Sequence, residues 1–148
     1  MPKGLDDYSP ERMRVFMKRA GIGIDLVAVK CGVVIGTARG WAAGRLTPTE
    51  VKAVKLAEAL GVKIADLTNT PPDKPTLRQL RQWRGLRGED AAERAGIGIT
   101  PVYTAETYVS PVPEHVRAAL ARAYEVPDDE IEAAWQRGRT EKYGGTLA

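Results

Sequence analysis

Residues 24–44 read IDLVAVKCGVVIGTARGWAAG, and this stretch decides the fold of the first half of the chain. A small residue, Ala28, is followed four positions later by Gly32, and the apolar Ala38 and Trp41 come after the glycine. A small side chain lets two helices cross closely, and glycine permits a turn with positive φ between them. The stretch therefore predicts two short helices joined by a sharp turn, with Ala38 and Trp41 against a core.

The same pattern returns 64 residues later, where residues 88–108 read GEDAAERAGIGITPVYTAETY. Ala92 and Gly96 replace Ala28 and Gly32, and Val102 and Ala105 are the apolar residues of the second helix. Further identical pairs at this offset are Gly21 and Gly85, Ile35 and Ile99, Glu50 and Glu114, Leu56 and Leu120, and Val62 and Val126. The repeat predicts two copies of one fold, because a solenoid normally needs three or more units.

Helix signals flank both motifs. Ser9-Pro10 combines a favoured N-cap with proline at the first helical position, and Thr76 and Thr100-Pro101 are expected to begin helices in the second half. Apolar residues recur at i, i+3, i+4 and i+7 from Ala53 to Leu60 and from Val116 to Ala123, which is typical of one buried helix face. No sustained apolar–polar alternation indicates strands. The chain is therefore predicted to be all-α.

The domain boundaries follow from proline content. Three prolines fall within residues 71–75, and they prevent a continuous helix and stiffen the backbone. We expect a first domain at 1–68, a linker at 69–75 and a second domain at 76–138. Residues 139–148 lack an apolar pattern and are expected to form a flexible tail.

Charge is distributed unevenly between the two halves. Residues 1–70 carry 11 Lys and Arg against 7 Asp and Glu, a net charge of +4. Residues 71–148 carry 11 against 12, a net charge of −1. A basic half indicates a polyanionic partner such as double-stranded DNA, although a basic surface with no partner is an equal alternative on charge alone.

Several function classes are not expected. No apolar run approaches the ~20 residues of a membrane helix, and the N-terminus lacks the apolar core of a signal peptide. A single cysteine, Cys31, cannot form an internal disulfide, so a cytoplasmic protein is expected. Cys31 and the single histidine, His115, provide neither a metal cluster nor a nucleophile–base pair, so we expect no enzyme activity and no cofactor.

The two motifs and their flanks resemble the lambda-repressor and Cro-like helix-turn-helix domains of the xenobiotic-response-element type. The most similar segment is KLAEALGV at 55–62, and RGWAAGRLTP at 39–48, AERAGI at 92–97 and ALARA at 119–123 also match. The resemblance covers about residues 10–67 and 76–135. It implies two tandem five-helix domains that bind specific DNA sequences, usually for repression and often in phages or mobile elements. Ile24 and Gly88 depart from the family, which often has Gln there.

The resemblance places recognition helices near residues 34–42 and 100–107, in the DNA major groove. The candidate DNA-binding residues are Lys30, Val34, Ile35, Gly36, Thr37, Arg39 and Arg45 in the first half, and Arg84, Arg87, Thr100, Tyr103 and Thr104 in the second. Arg39 suits guanine or a phosphate, and Ile35 suits a thymine methyl group. Lys30 and Arg45 are phosphate candidates, and Gly36 would allow the backbone to come close to DNA.

Arginines also recur every three residues at 78, 81, 84 and 87. On a helix they would form a basic stripe against a phosphate backbone, or alternatively a solvated face. Glu106 is expected to disfavour DNA contact in its vicinity.

Three interpretations of the whole chain remain open. Both domains could bind DNA, with a monomer on an asymmetric site. The first domain could bind DNA while the second serves dimerisation or partner binding, which would give a homodimer. The chain could also be a non-DNA adaptor of antitoxin-like or anti-repressor type that retains the fold, since fold does not fix function.

Overall fold

The structure, a computed structural model, describes residues 4–144 of the protein. Within these residues all regular secondary structure is helical, which confirms the expected all-α class. The chain divides into two compact units, Met1–Pro72 and Asp73–Ala148. The division falls within the predicted linker at 69–75.

The helices of the first unit are α1 (Pro10–Ala20), α2 (Ile24–Cys31), α3 (Ile35–Ala43), α4 (Glu50–Leu60) and a 3₁₀ turn (Ile64–Leu67). Helix α1 begins as predicted, because Ser9 Oγ accepts a hydrogen bond from the Arg12 N–H at 3.2 Å. It ends at Gly21, which has a φ of 68°. Such a left-handed residue is the usual glycine end of a helix.

The turn between α2 and α3 depends on Gly32, which has φ 66° and ψ 37°. The N–H of Val33 donates to the Ala28 carbonyl at 3.0 Å and closes the end of α2. The chain bends by 116° between α2 and α3. Ala28 is buried beside this turn, and Ala38 and Trp41 bury the inner side of α3. The predicted crossing of two short helices is therefore present in the first unit.

The helices of the second unit are α5 (Leu77–Trp83), α6 (Gly88–Ala95), α7 (Ile99–Ala105), α8 (Glu114–Tyr124) and α9 (Asp128–Tyr143). Thr76 caps α5 as predicted: its Oγ1 accepts from the Gln79 N–H at 3.2 Å, and Gln79 Oε1 accepts from the Thr76 N–H at 3.0 Å. Gly96, with a φ of 70°, ends α6 in the way that Gly32 ends α2.

The predicted start of α7 at Thr100 and Pro101 is wrong. The N-cap is Gly98, in an extended conformation, and Ile99 is the first helical residue. Pro101 therefore lies third in the helix, where its missing N–H is not needed because the first N–H groups of a helix have no partner within it.

The predicted flexible tail at 139–148 is wrong for residues 139–143, because α9 continues to Tyr143. Tyr143 donates its hydroxyl to the Thr107 carbonyl at 2.8 Å, and Arg139 Nη1 donates to the Val109 carbonyl at 2.9 Å. These contacts join polar side chains to backbone, so they leave no apolar pattern in the sequence. Residues 145–148 lie outside the described residues.

Two pairs of helices in the two units have bounds at the same separation. Ile24–Cys31 and Gly88–Ala95 lie 64 residues apart, as do Glu50–Leu60 and Glu114–Tyr124. The buried residues Met13, Leu56 and Leu67 of the first unit correspond at this offset to the buried Leu77, Leu120 and Ile131 of the second. These spacings agree with the sequence repeat, and the tandem copies stay a prediction.

A buried ion pair distinguishes the core of the second unit. Arg81 Nε donates to Glu106 Oε2 at 2.7 Å and Nη2 donates to Oε1 at 2.9 Å, while the two side chains are 3% and 1% exposed. Arg81 Nη1 also donates to the Leu86 carbonyl at 2.9 Å. The predicted place of Arg81 in a basic stripe or a solvated face is therefore wrong: Arg81 and Glu106 are both buried because each charge neutralises the other. The residues 64 positions earlier are the uncharged Met17 and Ala42.

No single helix within residues 4–144 has both the length and the hydropathy of a membrane span. Helices α2 and α3 together have the length and hydropathy of a span, but a bend of 116° separates them.

Loss of one partner of the Arg81–Glu106 pair is expected to destabilise the second unit strongly. Glu106→Ala should lower its free energy of unfolding by about 3–5 kcal/mol, because Arg81 is left as an uncompensated buried charge. The double variant Arg81→Met, Glu106→Ala carries the residues found at positions 17 and 42. It should recover most of the loss, because no charge remains buried.

Native-state hydrogen exchange of the full chain measures this effect on the amides of α5 and α7. Amides of α1–α4 serve as the internal control and are expected to keep their protection. Equal destabilisation by the single and the double variant would contradict the assigned role of the pair.

Candidate nucleic-acid interface

Helix α3 presents its outer side to solvent. Val34, the N-cap, is 74% exposed and Ile35 is 41% exposed, and Arg39 is also exposed. Gly36 faces open space, whereas Thr37 is only partly exposed. The structure thus leaves four of the five candidates in and beside α3 exposed.

Tyr8 connects the C-terminal end of α3 to the N-terminal segment. Its hydroxyl lies 2.9 Å from the Trp41 carbonyl, to which it donates, and 3.0 Å from Met13 Sδ. Burial raises the pKa of Tyr8 above its ordinary value, so its hydroxyl stays protonated and can donate. This hydrogen bond and the buried Trp41 side chain hold α3 in place and leave its outer face free.

Three cations around α3 have no hydrogen-bond or ion-pair partner among residues 4–144. Lys30 lies in the last turn of α2, Arg39 in the middle of α3, and Arg45 just after its end, and all three are exposed. Within residues 4–144 no carboxylate or carbonyl pairs with any of the three side chains. Unpaired exposed cations beside an accessible helix are suited to phosphate oxygens and to acceptors on base edges.

Arg14 is a further cation near α3 that the sequence did not single out. Arg14 Nη1 donates to the carbonyl of Ala42, at the end of α3. Arg14 and Arg39 line the same surface cavity of about 460 Å³ with Met17 and Ala42. Only the packing of α1 against α3 brings them together, so no local sequence signal could have found Arg14.

The two glycines of α3 serve different purposes. A Cβ atom at Gly36 would meet nothing within 4 Å. At Gly40 it would lie 2.6 Å from Leu46 Cδ1 and 3.1 Å from Leu46 Cβ. Gly40 is therefore required for the packing of Leu46 over α3, whereas no contact with the described residues, 4–144, requires Gly36.

Alanine substitutions should separate these two roles. Gly36→Ala should stabilise α3 by up to about 1 kcal/mol, because alanine is the better helix former and the site is open. Gly40→Ala should destabilise it, because Leu46 must move. Exchange rates of the α3 amides measure both effects, and stabilisation by Gly40→Ala would contradict the packing role.

The outer face of α7 differs in chemistry from that of α3. Thr100, Tyr103 and Thr104 are exposed, while Val102 and Ala105 are buried. The Tyr103 ring packs on Gly88, where a Cβ atom would lie 2.4 Å from the ring. This close packing accounts for glycine at position 88.

The two remaining candidate cations of the second unit are already paired. Arg84 Nη1 lies 3.3 Å from Glu125 Oε2. Arg87 lies 2.9 Å from Asp90 Oδ2 and 3.1 Å from Glu89 Oε1. The hydrogen bond from Arg87 lowers the pKa of Asp90, which keeps this carboxylate charged beside the guanidinium. Both arginines are exposed, but their charges are offset locally.

A long stretch of the second unit is almost free of charged residues. Residues 95–113 contain one charged residue, Glu106, and that residue is buried against Arg81. The corresponding residues 31–49 of the first unit contain Arg39 and Arg45. The two units therefore present a basic and an uncharged face at the same place in the helix order.

Comparison with known proteins identifies one domain class. Residues 76–134 match a family model described as a helix-turn-helix domain, from the residue before α5 into α9. This match supports a helix-turn-helix DNA-binding family for the second unit. No curated protein and no solved structure matches the chain.

Proposed function

We propose that the protein is a sequence-specific double-stranded DNA-binding transcription regulator with two tandem domains of the lambda-repressor and Cro-like type. The helix-turn-helix match at 76–134 supports the class of the second unit. The 116° bend at Gly32 and the 64-residue spacing of helices support the same class for the first. The unpaired cations Lys30, Arg39 and Arg45 around α3 are the observation that carries the assignment of DNA binding to the first unit.

The proposed DNA contacts follow from the chemistry of the α3 face. Arg39 donates to guanine O6 and N7, and Ile35 packs on a thymine methyl group. Lys30 and Arg45 bind phosphates on either side, which fixes the position of α3 but carries no sequence information. Gly36 lets the backbone approach the base pairs.

The regulatory role is repression of phage or mobile-element type. A protein of this size that occupies operator DNA can exclude polymerase, and the proposal assigns no catalytic step to it. Because α3 and α7 present different side chains, a single chain would recognise an asymmetric site as a monomer.

A second candidate function gives the second unit a role in dimerisation or partner binding. It is favoured by an apolar groove of about 360 Å³ beside α7, whose lining includes Thr104, Ser110 and Val112. At the corresponding place of the first unit, Leu46 packs over Gly40. Ser110 and Thr104 stand at these positions in the second unit, so no leucine fills the groove.

Substitutions of the α3 cations should divide into two classes. Arg39→Ala should weaken specific binding by about 1–3 kcal/mol and relax the preference for one base pair. Lys30→Ala and Arg45→Ala should weaken binding to all sequences and each reduce the slope of log K against log salt by about 1. Fluorescence anisotropy on duplexes selected from random DNA measures both.

Arg84→Ala is the matched control, because its charge is already offset by Glu125 at 3.3 Å. It should change affinity and salt slope less than Arg45→Ala. If the chain binds no duplex, or if its affinity for duplexes does not fall steeply with salt, the proposal is contradicted and the adaptor interpretation is favoured.

A further inference from the structure

Every exposed side chain of α7 is uncharged and lacks an amide group. Ile99, Thr100, Tyr103 and Thr104 are exposed, and they offer methyl groups, hydroxyls and one aromatic ring. The loop that follows, residues 109–113, reads VSPVP and adds no charge or amide.

The base edges of the major groove limit what this face can recognise. Guanine is read by Arg or Lys, adenine by Asn or Gln, and cytosine by Asp or Glu, whereas thymine is distinguished by its 5-methyl group through apolar contact. The glutamines of α5, Gln79 and Gln82, are buried and cannot reach DNA. Threonine hydroxyls can bond to more than one base edge and so discriminate little, whereas the apolar groups of the α7 face complement the thymine methyl group.

The face is also held rigidly, which contact with a single methyl group requires. Tyr103 is seated on Gly88 of α6. Glu106, directly after α7, is anchored to Arg81 of α5 by two hydrogen bonds of 2.7 and 2.9 Å. Helix α7 is thus held against α6 by Tyr103 and tied to Arg81 of α5 through Glu106, which fixes its orientation in the second unit.

We propose that α7 recognises thymine 5-methyl groups, so that the part of the binding site under the second unit is rich in A·T pairs. This inference rests on the proposed function. It makes the site asymmetric in composition, with a guanine read by Arg39 in one part and thymines read by Thr100 and Thr104 in the other. It also explains how α7 can contribute specificity without a cation, since Lys30, Arg39 and Arg45 provide the electrostatic attraction to DNA.

Replacement of thymine by deoxyuridine tests the inference, because it removes only the 5-methyl group. Binding sites are first selected from random duplex DNA with the full chain and with Arg39→Ala. The base pair at which Arg39→Ala relaxes the preference marks the position of α3, and the segment of the motif beyond the base pairs that adjoin it is assigned to the second unit. Each thymine is then replaced singly, and the dissociation constant is measured at fixed salt. We expect about a fourfold loss for each contacted methyl group, from the transfer free energy of one buried carbon.

Two variants make the assignment specific to α7. In the variant Thr100→Ser, Thr104→Ser the hydroxyls remain and the methyl groups are lost, so the preference for thymine over uracil should disappear. In the variant Thr100→Val, Thr104→Val the methyl groups remain and the preference should persist. Both positions are exposed, so folding is expected to be unaffected in either variant.

The outcomes separate the inference from the proposed function. If the chain binds a specific site but no uracil substitution in the second-unit segment weakens it, or if the serine variant keeps the preference, the inference is overturned and DNA binding by α3 stands. If the selected motif has no such second segment because only α3 contacts DNA, the inference is likewise overturned. If no specific site is selected at all, the proposed function fails.

Discussion

The structure depends on one backbone constraint, the left-handed glycine that ends the first helix of each helix pair. Gly32 and Gly96 have φ values of 66° and 70°, a region that side chains with a Cβ atom rarely adopt. Each glycine stops its helix and redirects the chain at once. In the first unit the redirection amounts to 116°, which turns the outer side of α3 away from the core. The accessible face that we assign to DNA exists because of this turn.

Two different devices then fix the second helix of each pair. In the first unit Trp41 is buried and its carbonyl accepts a hydrogen bond from Tyr8 at 2.9 Å. In the second unit the large residue is missing, since Ala105 stands at the equivalent position, and the Arg81–Glu106 ion pair provides the anchor instead. These anchors lie in the core, so the outer faces of α3 and α7 can differ. The face of α3 carries unpaired cations, whereas the exposed side chains of α7 are uncharged.

Much of the helical structure could be predicted from the sequence, because the residues that set it lie close to each other along the chain. Helix starts at Ser9 and Thr76, helix ends at Gly21, Gly32 and Gly61, and the apolar face of α4 depend on residues within one or two turns of each other. The exposure of Val34 and Ile35 also follows from local spacing around Ala38 and Trp41.

What could not be predicted depends on residues distant in sequence. Arg81 and Glu106 are 25 positions apart, and only the folded structure reveals that they neutralise each other inside the core. The extension of α9 to Tyr143 rests on hydrogen bonds to carbonyls about 30 residues away. The position of Arg14 beside α3 has the same origin. Each is a polar contact, and apolar periodicity carries no signal for such contacts.

The central claim is that the α3 face of the first unit is the surface that binds DNA. Hydrogen exchange of the full chain, with and without a duplex selected from random sequence, tests this most directly. The account predicts that DNA slows exchange most in residues 30–45, from the last turn of α2 to the loop after α3. A specific complex in which those amides exchange as in the free protein would contradict it.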